Sequence, residues 1–458
     1  MPETTTGILH ALIDELGELV STDDAELDTV RSDKSGHRSA GTPIAIVHAR
    51  SVADVQSTMR IASLFGTPVV TRGAGTGLAG GAIGGAGEIV LSTMHLNRIL
   101  EISADDELAV VEPGIINADL NIVLAESGLW FAPDPASRAI STVGGNIATN
   151  AGGLLCAKYG VTREAVLGLS VVLADGRLLE LGHRTVKGVT GLDLTALFIG
   201  SEGTLGVIVG ATLRLRRLPT GVTVTIGAHF DSVEAAARAA SVISSSGLRP
   251  AIMELLDHNA MSGIADYLGT TARAGAFLLV RTDGPGAEVE ADAAVAVIRS
   301  LGGDVEIPET DADAERLFTV RRSFHSAMEA RGTVLIEDVC VPRSALPAMF
   351  SVIADIERKF GVDIPTIAHA GDGNLHPNFV FEEDPAAPGE VPAHIWAAAD
   401  ELFAAAIRLG GTLTGEHGVG LLKKRWLADE LGEDQLDVQR QVKAVFDPQG
   451  ILNPGKAY

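Results

Sequence analysis

The segment HAGDGNLHP, residues 369–377, places His369 and His376 on either side of a Gly-Asp-Gly-Asn turn. The apolar residues around it predict a strand, a tight turn and a second strand. Side chains two residues apart on a strand share a face, so His376 and Asn378 point the same way and the turn brings His369 back towards them. Two converging imidazoles indicate either a metal site or a buried hydrogen-bonded pair.

A second segment, GGTLTGEHGVG (410–420), supplies a carboxylate and a further imidazole between glycines. Neighbouring side chains in an extended stretch diverge, so Glu416 can join the two histidines on a metal while His417 points into the pocket. Two imidazoles and one carboxylate leave coordination positions open, which is typical of a catalytic metal site. Taken alone, this segment would also fit a solvated turn.

The stretch RGAGTGLAGG, residues 72–81, contains a GxGxxG string after a predicted strand. Such a string alone is weak evidence for a dinucleotide site. The following residues are too rich in glycine to form the required helix, and the next strand, EIVLST, ends without an acid for a ribose, so NAD is disfavoured. A glycine-rich run still lets backbone N–H groups surround an anion, and Arg72 adds a positive charge.

Two more glycine-rich loops follow, at Pro133–Gly153 and Gly200–Ile208. Three such loops in one half of the chain indicate one large, flat ligand held between backbones. The alternative for a single loop is a glycine-rich corner of a barrel.

The elements that must position these loops differ between the two halves of the chain. Up to Leu218, helices at 7–20 and 52–66 accompany short strands, and Asp-Gly at 175–176 predicts a hairpin. After RRLPTG (216–221), strands and helices alternate as in an α+β sheet with helices on one face.

In that second half, the stretch RLFTVRRSFHSAMEARG predicts one helix and TVLIEDVCVP predicts one strand. Residues 382–394 predict a polar loop.

Bulk properties exclude several classes of function. The net charge of −24 and the 4% aromatic content argue against binding nucleic acid or anionic membranes. Cys156 and Cys340 are too few for a disulfide framework, and the N-terminal sequence lacks the basic start of a signal peptide. No apolar run is long enough to cross a bilayer, so we expect a cytoplasmic protein.

Residues 40–218 resemble the FAD-binding domain of the vanillyl-alcohol-oxidase superfamily through PVVTRGAGTGLAGGA, STVGGNIATNAGG and LTALFIGSEGTLGVI. The resemblance implies non-covalent FAD. It also implies cofactor contacts from Arg72, Gly73, Ala74, Gly75, Thr76, Gly77 and Leu78 at the pyrophosphate, and from Pro133, Ser141, Thr142, Gly144, Gly145, Thr149, Gly152, Gly153, Glu202, Ile208 and Asn453 elsewhere.

The second half is similar to the C-terminal domain of FAD-linked D-2-hydroxy-acid dehydrogenases through AHAGDGNLHPN, GEHGVGLLKK and ILNPGK. The resemblance implies that His369, His376 and Glu416 bind Zn²⁺ or Mn²⁺. It makes His417 the catalytic base, Asn378 a substrate contact, and Arg321 rather than Arg322 the cation for the substrate carboxylate. A surface arginine on a helix is the structural alternative for either residue.

The implied fold is α+β: a two-part FAD-binding domain of the vanillyl-alcohol-oxidase type, a ferredoxin-like antiparallel-sheet substrate domain, and a C-terminal segment that returns to the flavin. The expected parts are an N-terminal helical segment at 1–38, the FAD domain at 39–218, the substrate and metal domain at 219–420, and C-terminal helices and tail at 421–458.

The implied reaction is oxidation of a 2-hydroxy acid to a 2-oxo acid. Relatives that act on 2-hydroxyglutarate place a lysine near VLIEDVCVP, where this chain has Ile336, so D-lactate or glycolate is favoured. D-2-hydroxyglutarate dehydrogenase, an alkyl-dihydroxyacetone-phosphate-synthase-like flavin transferase, and a non-enzymatic FAD-binding subunit are the alternatives. The electron acceptor (quinone, cytochrome or electron-transfer flavoprotein) and a homodimer remain open.

Overall fold

The computed structural model describes residues 3–383 and 390–458. The loop predicted at 382–394 therefore lies partly outside the described residues.

The strands, in chain order, are β1 (Val20–Ser21), β2 (Ala45–His48), β3 (Val69–Arg72), β4 (Ile89–Ser92), β5 (Ile99–Ser103), β6 (Leu108–Val111), β7 (Leu129–Trp130), β8 (Val166–Val172), β9 (Leu178–Gly182), β10 (Val207–Arg214), β11 (Arg216–Arg217), β12 (Val222–Phe230), β13 (Ile252–Leu256), β14 (Ala276–Gly284), β15 (Asp304–Glu306), β16 (Thr333–Ile336), β17 (Val339–Cys340), β18 (Thr366–His369) and β19 (Asn374–Phe381).

The helices are α1 (Glu3–Leu16), α2 (Asp24–Thr29), α3 (Val52–Phe65), α4 (Asn117–Ala125), α5 (Val143–Thr149), α6 (Cys156–Tyr159), α7 (Leu194–Phe198), α8 (Val233–Ser245), α9 (His258–Leu268), α10 (Ala287–Ser300), α11 (Asp311–Arg322), α12 (Phe324–Glu329), α13 (Leu346–Phe360), α14 (Ala393–Arg408), α15 (Leu427–Leu431) and α16 (Glu433–Phe446).

The described residues divide into two units. The first contains residues 3–153, 160–218 and 416–458, and the second contains 154–159 and 219–415 apart from the gap. The chain therefore returns at its end to the unit in which it began.

The first unit contains a small, mainly parallel sheet of order β1-β2-β4-β3, in which only β1 runs antiparallel to its neighbour. Helices α1 and α3 bury an apolar face on it, through residues such as Leu12 and Met59. Helix α3 begins at a capping box formed by Ser51 and Asp54 and ends at Gly66, whose φ of 62° suits glycine. The predicted helix at 52–66 is thus confirmed.

The second sheet of this unit is antiparallel, with the order β5-β6-β10-β8-β9. Strands β8 and β9 form the hairpin that Asp175-Gly176 predicts, and Gly176 has a φ of 83°. The C-terminal segment is tied to the first sheet, because the Asn453 N–H donates to the Val69 carbonyl at 2.9 Å.

The second unit is built on one antiparallel sheet of order β15-β12-β14-β13-β18-β19-β16, and β17 also pairs with β19. Strands β18 and β19 are the strand, turn and strand predicted from the HAGDGNLHP segment. The fold is α+β, as the sequence predicts.

Two predicted elements of this unit are interrupted. The single helix predicted at 316–332 is divided at Ser323 into α11 and α12. Phe318 and Phe324 are six residues apart and would lie about 120° apart around one straight helix, so the division lets both enter the same apolar core.

The single strand predicted at 333–342 is divided into β16 and β17 by Glu337 and Asp338. The Glu337 N–H donates to the Pro377 carbonyl at 3.0 Å, but Pro377 has no N–H to return the bond. The ladder to β19 is therefore broken at this point.

Candidate functional site

The loop after β3 exposes a row of backbone donors. Within the described ranges, none of the N–H groups of residues 73–78 donates a hydrogen bond to the protein. The Arg72 guanidinium lies against the same loop and donates to the Ala82 carbonyl at 2.7 Å. A Cβ on Gly75, whose φ is 69°, would lie 2.2 Å from Arg72 Nη2. These donors fit an anion such as the pyrophosphate of FAD.

The second predicted glycine loop lies beside the first. A Cβ on Gly73 would lie 2.5 Å from the Thr142 hydroxyl oxygen, and that oxygen accepts from the Gly145 N–H at the start of α5. Gly144 packs against Pro113, and a Cβ on Gly144 would lie 2.4 Å from Pro113 Cβ. Only glycine permits this approach of α5 to the neighbouring backbone.

The third loop meets the C-terminal segment at Glu202. Its carboxylate accepts from the Val419 N–H at 2.8 Å and the Gly420 N–H at 2.9 Å. Burial raises the pKa of Glu202, and these two N–H groups act in the opposite direction. The Asn453 amide donates to the Glu202 carbonyl at 2.7 Å and to the Gly81 carbonyl at 2.9 Å.

Asn453 also carries a polar atom that fits a ligand. Its Oδ1 is buried and has no hydrogen-bond partner in the described part of the chain. In the first unit, Asn453 thus contacts both the first and the third glycine loop. Its Oδ1 is left as a hydrogen-bond acceptor for a ligand. Together with the N–H groups of residues 73–78, this arrangement fits FAD.

The other predicted cofactor residues are placed within the same unit. The Pro133 carbonyl accepts from the buried Asn117 amide at 3.0 Å, and Ile208 lies on β10. Ser141 is buried before α5, and Thr149 ends that helix. Gly152 and Gly153 follow this helix. A Cβ on Gly152 would lie 2.5 Å from Glu416 Oε1, and a Cβ on Gly153 would lie 2.4 Å from the Asp134 carbonyl oxygen.

The second unit gathers its polar residues on one face of the sheet. Cross-strand partners share a face, and His369 is the partner of Glu254 on β13 and of Asn374 on β19. Asn374, His376 and Asn378 alternate along β19 and point the same way. The rings of His369 and His376 meet edge to face, with centroids 5.0 Å apart.

Glu254 fixes the orientation of one imidazole. It is fully buried, and its Oε1 lies 2.6 Å from His369 Nδ1. Its other oxygen accepts from Arg321 Nε at 2.5 Å. Burial raises the pKa of Glu254, but the charges and hydrogen bonds of His369 and Arg321 more than offset burial, so the pKa lies below its ordinary value.

Glu254 was not predicted from the sequence. The only available signal was an acid inside the otherwise apolar strand β13, whose residues are all buried. Because Nδ1 is hydrogen-bonded to a carboxylate, Nε2 is the ring nitrogen through which His369 would coordinate a metal.

Asp338 positions the segment that carries the predicted carboxylate ligand. It is fully buried and accepts from the Thr414 hydroxyl at 2.5 Å and from the Gly415 N–H at 3.0 Å. Glu416 follows Gly415 directly. Ligand atoms of His369, His376 and Glu416 all lie within 4.8 Å of one another.

The two arginines of α11 are placed differently. Arg321 is largely buried, with its side chain 13% exposed, while that of Arg322 is 56% exposed and pairs with Glu315. Apart from its bond to Glu254, the Arg321 side chain donates no other hydrogen bond within the described ranges. Its terminal nitrogens can therefore serve a carboxylate, whereas Arg322 has the position of a surface arginine.

His417 lies next to Glu416 in the segment that Glu202 holds. Asn378 is buried, and its amide donates to the His376 carbonyl at 2.9 Å.

Both halves of the chain match described families. Residues 43–182 match the FAD binding domain, and residues 220–457 match the C-terminal domain of FAD linked oxidases. The chain belongs to the FAD-linked oxidases. It is therefore an FAD-binding oxidoreductase of this family.

Relatives of this FAD-linked oxidase are similar over nearly their full length. The chain is 41% identical to glycolate oxidase subunit GlcD of Bacillus subtilis, covering 91% of this chain and 89% of the relative. It is 33% identical to D-lactate dehydrogenase of Anaerostipes hadrus, covering 90% and 89%. It is 33% identical to D-2-hydroxyglutarate dehydrogenase of Stutzerimonas stutzeri, covering 98% and 99%.

A solved structure shares the fold at lower identity. p-Cresol methylhydroxylase is 18% identical, with a TM-score of 0.80 over 100% of this chain and 97% of that one. Within residues 3–383 and 390–458, no helix combines the length and apolar character that crossing a bilayer requires.

Proposed function

We propose that this FAD-linked oxidase oxidises a small D-2-hydroxy acid, with D-lactate or glycolate favoured, to the 2-oxo acid. We further propose that it needs a divalent metal, Zn²⁺ or Mn²⁺, bound by His369, His376 and Glu416. The observation that carries the proposal is the convergence of these three ligand atoms within 4.8 Å. Two imidazoles and one carboxylate form a donor set that such ions accept, with positions left for a substrate.

Each neighbouring side chain has a proposed task. Arg321, held by Glu254, binds the substrate carboxylate through its terminal nitrogens, because a guanidinium matches a carboxylate in shape and charge. Asn378 contacts the substrate through its amide. His417 takes the hydroxyl proton as a neutral imidazole.

The cofactor and the metal supply the remaining chemistry. When bound, the metal lowers the pKa of a coordinated hydroxyl, and FAD accepts the hydride from the carbon that carries it. The residues proposed to hold FAD are those of the three glycine loops and Asn453.

The strand beside Asn378 supports a small monocarboxylate. Ile336 is the cross-strand partner of Asn378, so their side chains share a face. An apolar side chain at this position provides no charge for a second carboxylate.

This apolar position weighs against the alternative of D-2-hydroxyglutarate, although one relative bears that name. The flavin-transferase alternative gains no support from any residue of the cluster.

The proposed electron acceptor is a quinone, a cytochrome or an electron-transfer flavoprotein. A homodimer and a cytoplasmic location are parts of the same proposal.

Anaerobic reduction of the flavin tests the proposal. Purified protein is mixed with glycolate, D-lactate, L-lactate or D-2-hydroxyglutarate, with and without added Zn²⁺ or Mn²⁺. We expect the flavin absorbance to bleach with D-lactate or glycolate and to depend on the metal. Bleaching only with D-2-hydroxyglutarate would favour the alternative, and no bleaching with any of the four acids would reject the function.

A further inference from the structure

Two asparagines on β19 carry buried polar atoms that find no hydrogen-bond partner among the residues that the structure describes. Both amide atoms of Asn374 and the Oδ1 of Asn378 make no hydrogen bond within the described residues. The two residues are only 3% and 1% exposed. Buried polar groups are almost always hydrogen-bonded, so three such atoms on one strand need an explanation.

The strand register aims both amides at the proposed metal site. Asn374 is the cross-strand partner of His369, and it alternates along β19 with His376 and Asn378. All four side chains therefore share one face of the sheet.

The hydrogen-bonding capacity of Asn378 is partly fixed by its own strand. Its Nδ2 donates to the His376 carbonyl at 2.9 Å, and because a carbonyl can only accept, the amide cannot be reversed. Its Oδ1 is left as an acceptor. With Asn374, the pair therefore offers donor and acceptor capacity together.

Close packing holds Asn374 in place, and within the described residues its amide makes no hydrogen bond. The preceding Gly373 has a φ of 97°, and a Cβ there would lie 2.1 Å from the Val341 carbonyl oxygen. The Asn374 N–H donates to Asp372 Oδ1 at 3.2 Å. A Cβ on Gly415 would lie 2.4 Å from Asn374 Oδ1, so the amide lies against the residue that precedes Glu416.

We propose that Asn374 is a further substrate-binding residue of this site, with Nδ2 donating to the substrate carboxylate and Oδ1 facing the substrate hydroxyl. A 2-hydroxy acid carries an acceptor and a donor on adjacent carbons, which complements an amide. This inference rests on the proposed function and adds a recognition residue to it.

The test replaces the amide with an apolar side chain of similar size. For Asn374→Leu, we expect the KM for glycolate and D-lactate to rise roughly ten- to a hundredfold, because hydrogen bonds to a charged group are lost. We expect a smaller change in kcat and no fall in Tm, since no protein hydrogen bond of the side chain is removed.

Asn259→Leu is the matched control in the same unit. Its amide donates to Glu357 Oε1 at 2.8 Å, so the same substitution should lower Tm and leave KM unchanged. If Asn374→Leu fails to fold, the KM of Asn374→Asp is measured instead. Aspartate keeps the shape of the amide but repels the substrate carboxylate, so we expect its KM to rise as well.

A KM within twofold of wild type in the folded Asn374 variant would overturn the inference, and a lower Tm with unchanged KM would make Asn374 structural. Both results require that wild-type flavin is reduced by a 2-hydroxy acid. Wild-type protein that no 2-hydroxy acid reduces would instead reject the proposed function and, with it, this inference.

Discussion

At the scale of single residues, the site depends on a buried chain of charge from Arg321 through Glu254 to His369. A carboxylate hydrogen-bonded to Nδ1 holds the imidazole in one orientation and increases its basicity as a ligand. The low pKa of Glu254 keeps the carboxylate ionised near neutral pH.

Replacing Glu254 by glutamine should therefore weaken metal binding. Glutamine keeps an oxygen for His369 but loses the charge that both partners use. We expect the affinity for Zn²⁺ to fall roughly ten- to a hundredfold while FAD content is unchanged. Competition with a fluorescent zinc chelator measures this affinity. Glu357→Gln, at another largely buried carboxyl of the same unit, is the control, and equal affinities in the two variants would contradict the role of Glu254.

Part of this site was predictable from the sequence. His369, His376 and Glu416 were identified because each lies in a short segment dense with glycine and polar residues. Glu254 lies 115 residues from its partner His369 in the chain. Nothing in an apolar strand indicates which distant side chain it will face, so its role required the strand register.

At the scale of elements, helix α5 depends on close approach to the backbone at Pro113. Overpacking at such a contact costs about 1–3 kcal/mol and displaces the helix that the predicted flavin residues occupy.

Gly144→Ala should therefore lower both FAD content and Tm. The added carbon would lie 2.4 Å from Pro113 Cβ and 2.9 Å from its carbonyl oxygen. The ratio of flavin to protein absorbance after purification measures retention. Gly286→Ala, where nothing lies within 4 Å, is the control and should retain FAD. A fully yellow Gly144→Ala protein with wild-type Tm would show that the contact can relax.

The start of α9 should give the second unit a pH-dependent stability. Burial raises the pKa of Asp257 from 3.8 to about 8, although the N–H groups of Ala260 and Thr366 favour the ionised form. Between these values the folded chain holds a proton that the unfolded chain has lost. The free energy of unfolding should therefore fall as pH rises from about 4 to about 8, by at most about 1.4 kcal/mol per pH unit.

Urea denaturation of wild type and Asp257→Asn across this range tests the expectation. The amide cannot ionise, so the variant should lose this part of the slope, whereas Asp355→Asn, at an exposed carboxylate, should keep it. A wild-type stability that rises with pH in parallel with Asp257→Asn would contradict the raised pKa.

The elements themselves were predicted unevenly. The helix at 52–66 and the hairpin at 175–176 follow from local capping and turn signals. The breaks between α11 and α12 and between β16 and β17 do not follow from local signals. They depend on how Phe318 and Phe324 enter the apolar core and on the position of Pro377 opposite Glu337 in the sheet.

At the scale of the whole molecule, the net charge of −24 opposes the approach of an anionic substrate. Salt screens this repulsion, since the Debye length falls from about 30 Å at 0.01 M to about 8 Å at 0.15 M. We expect kcat/KM for glycolate to rise roughly twofold or more over this range, with kcat little changed. Steady-state rates in sodium chloride measure it, and a fall in kcat/KM would indicate that the approach path is locally positive.

The central claim is that His369, His376 and Glu416 hold one divalent metal that substrate oxidation requires. Its most direct test is to remove metal from the FAD-loaded protein with a chelator and titrate Zn²⁺ or Mn²⁺ back while following anaerobic flavin reduction by D-lactate or glycolate. We predict that reduction is lost on chelation and returns at one equivalent of metal, and that His376→Ala stays yellow yet is not restored. Unchanged reduction in the metal-free wild type, or full activity of His376→Ala, would contradict the account.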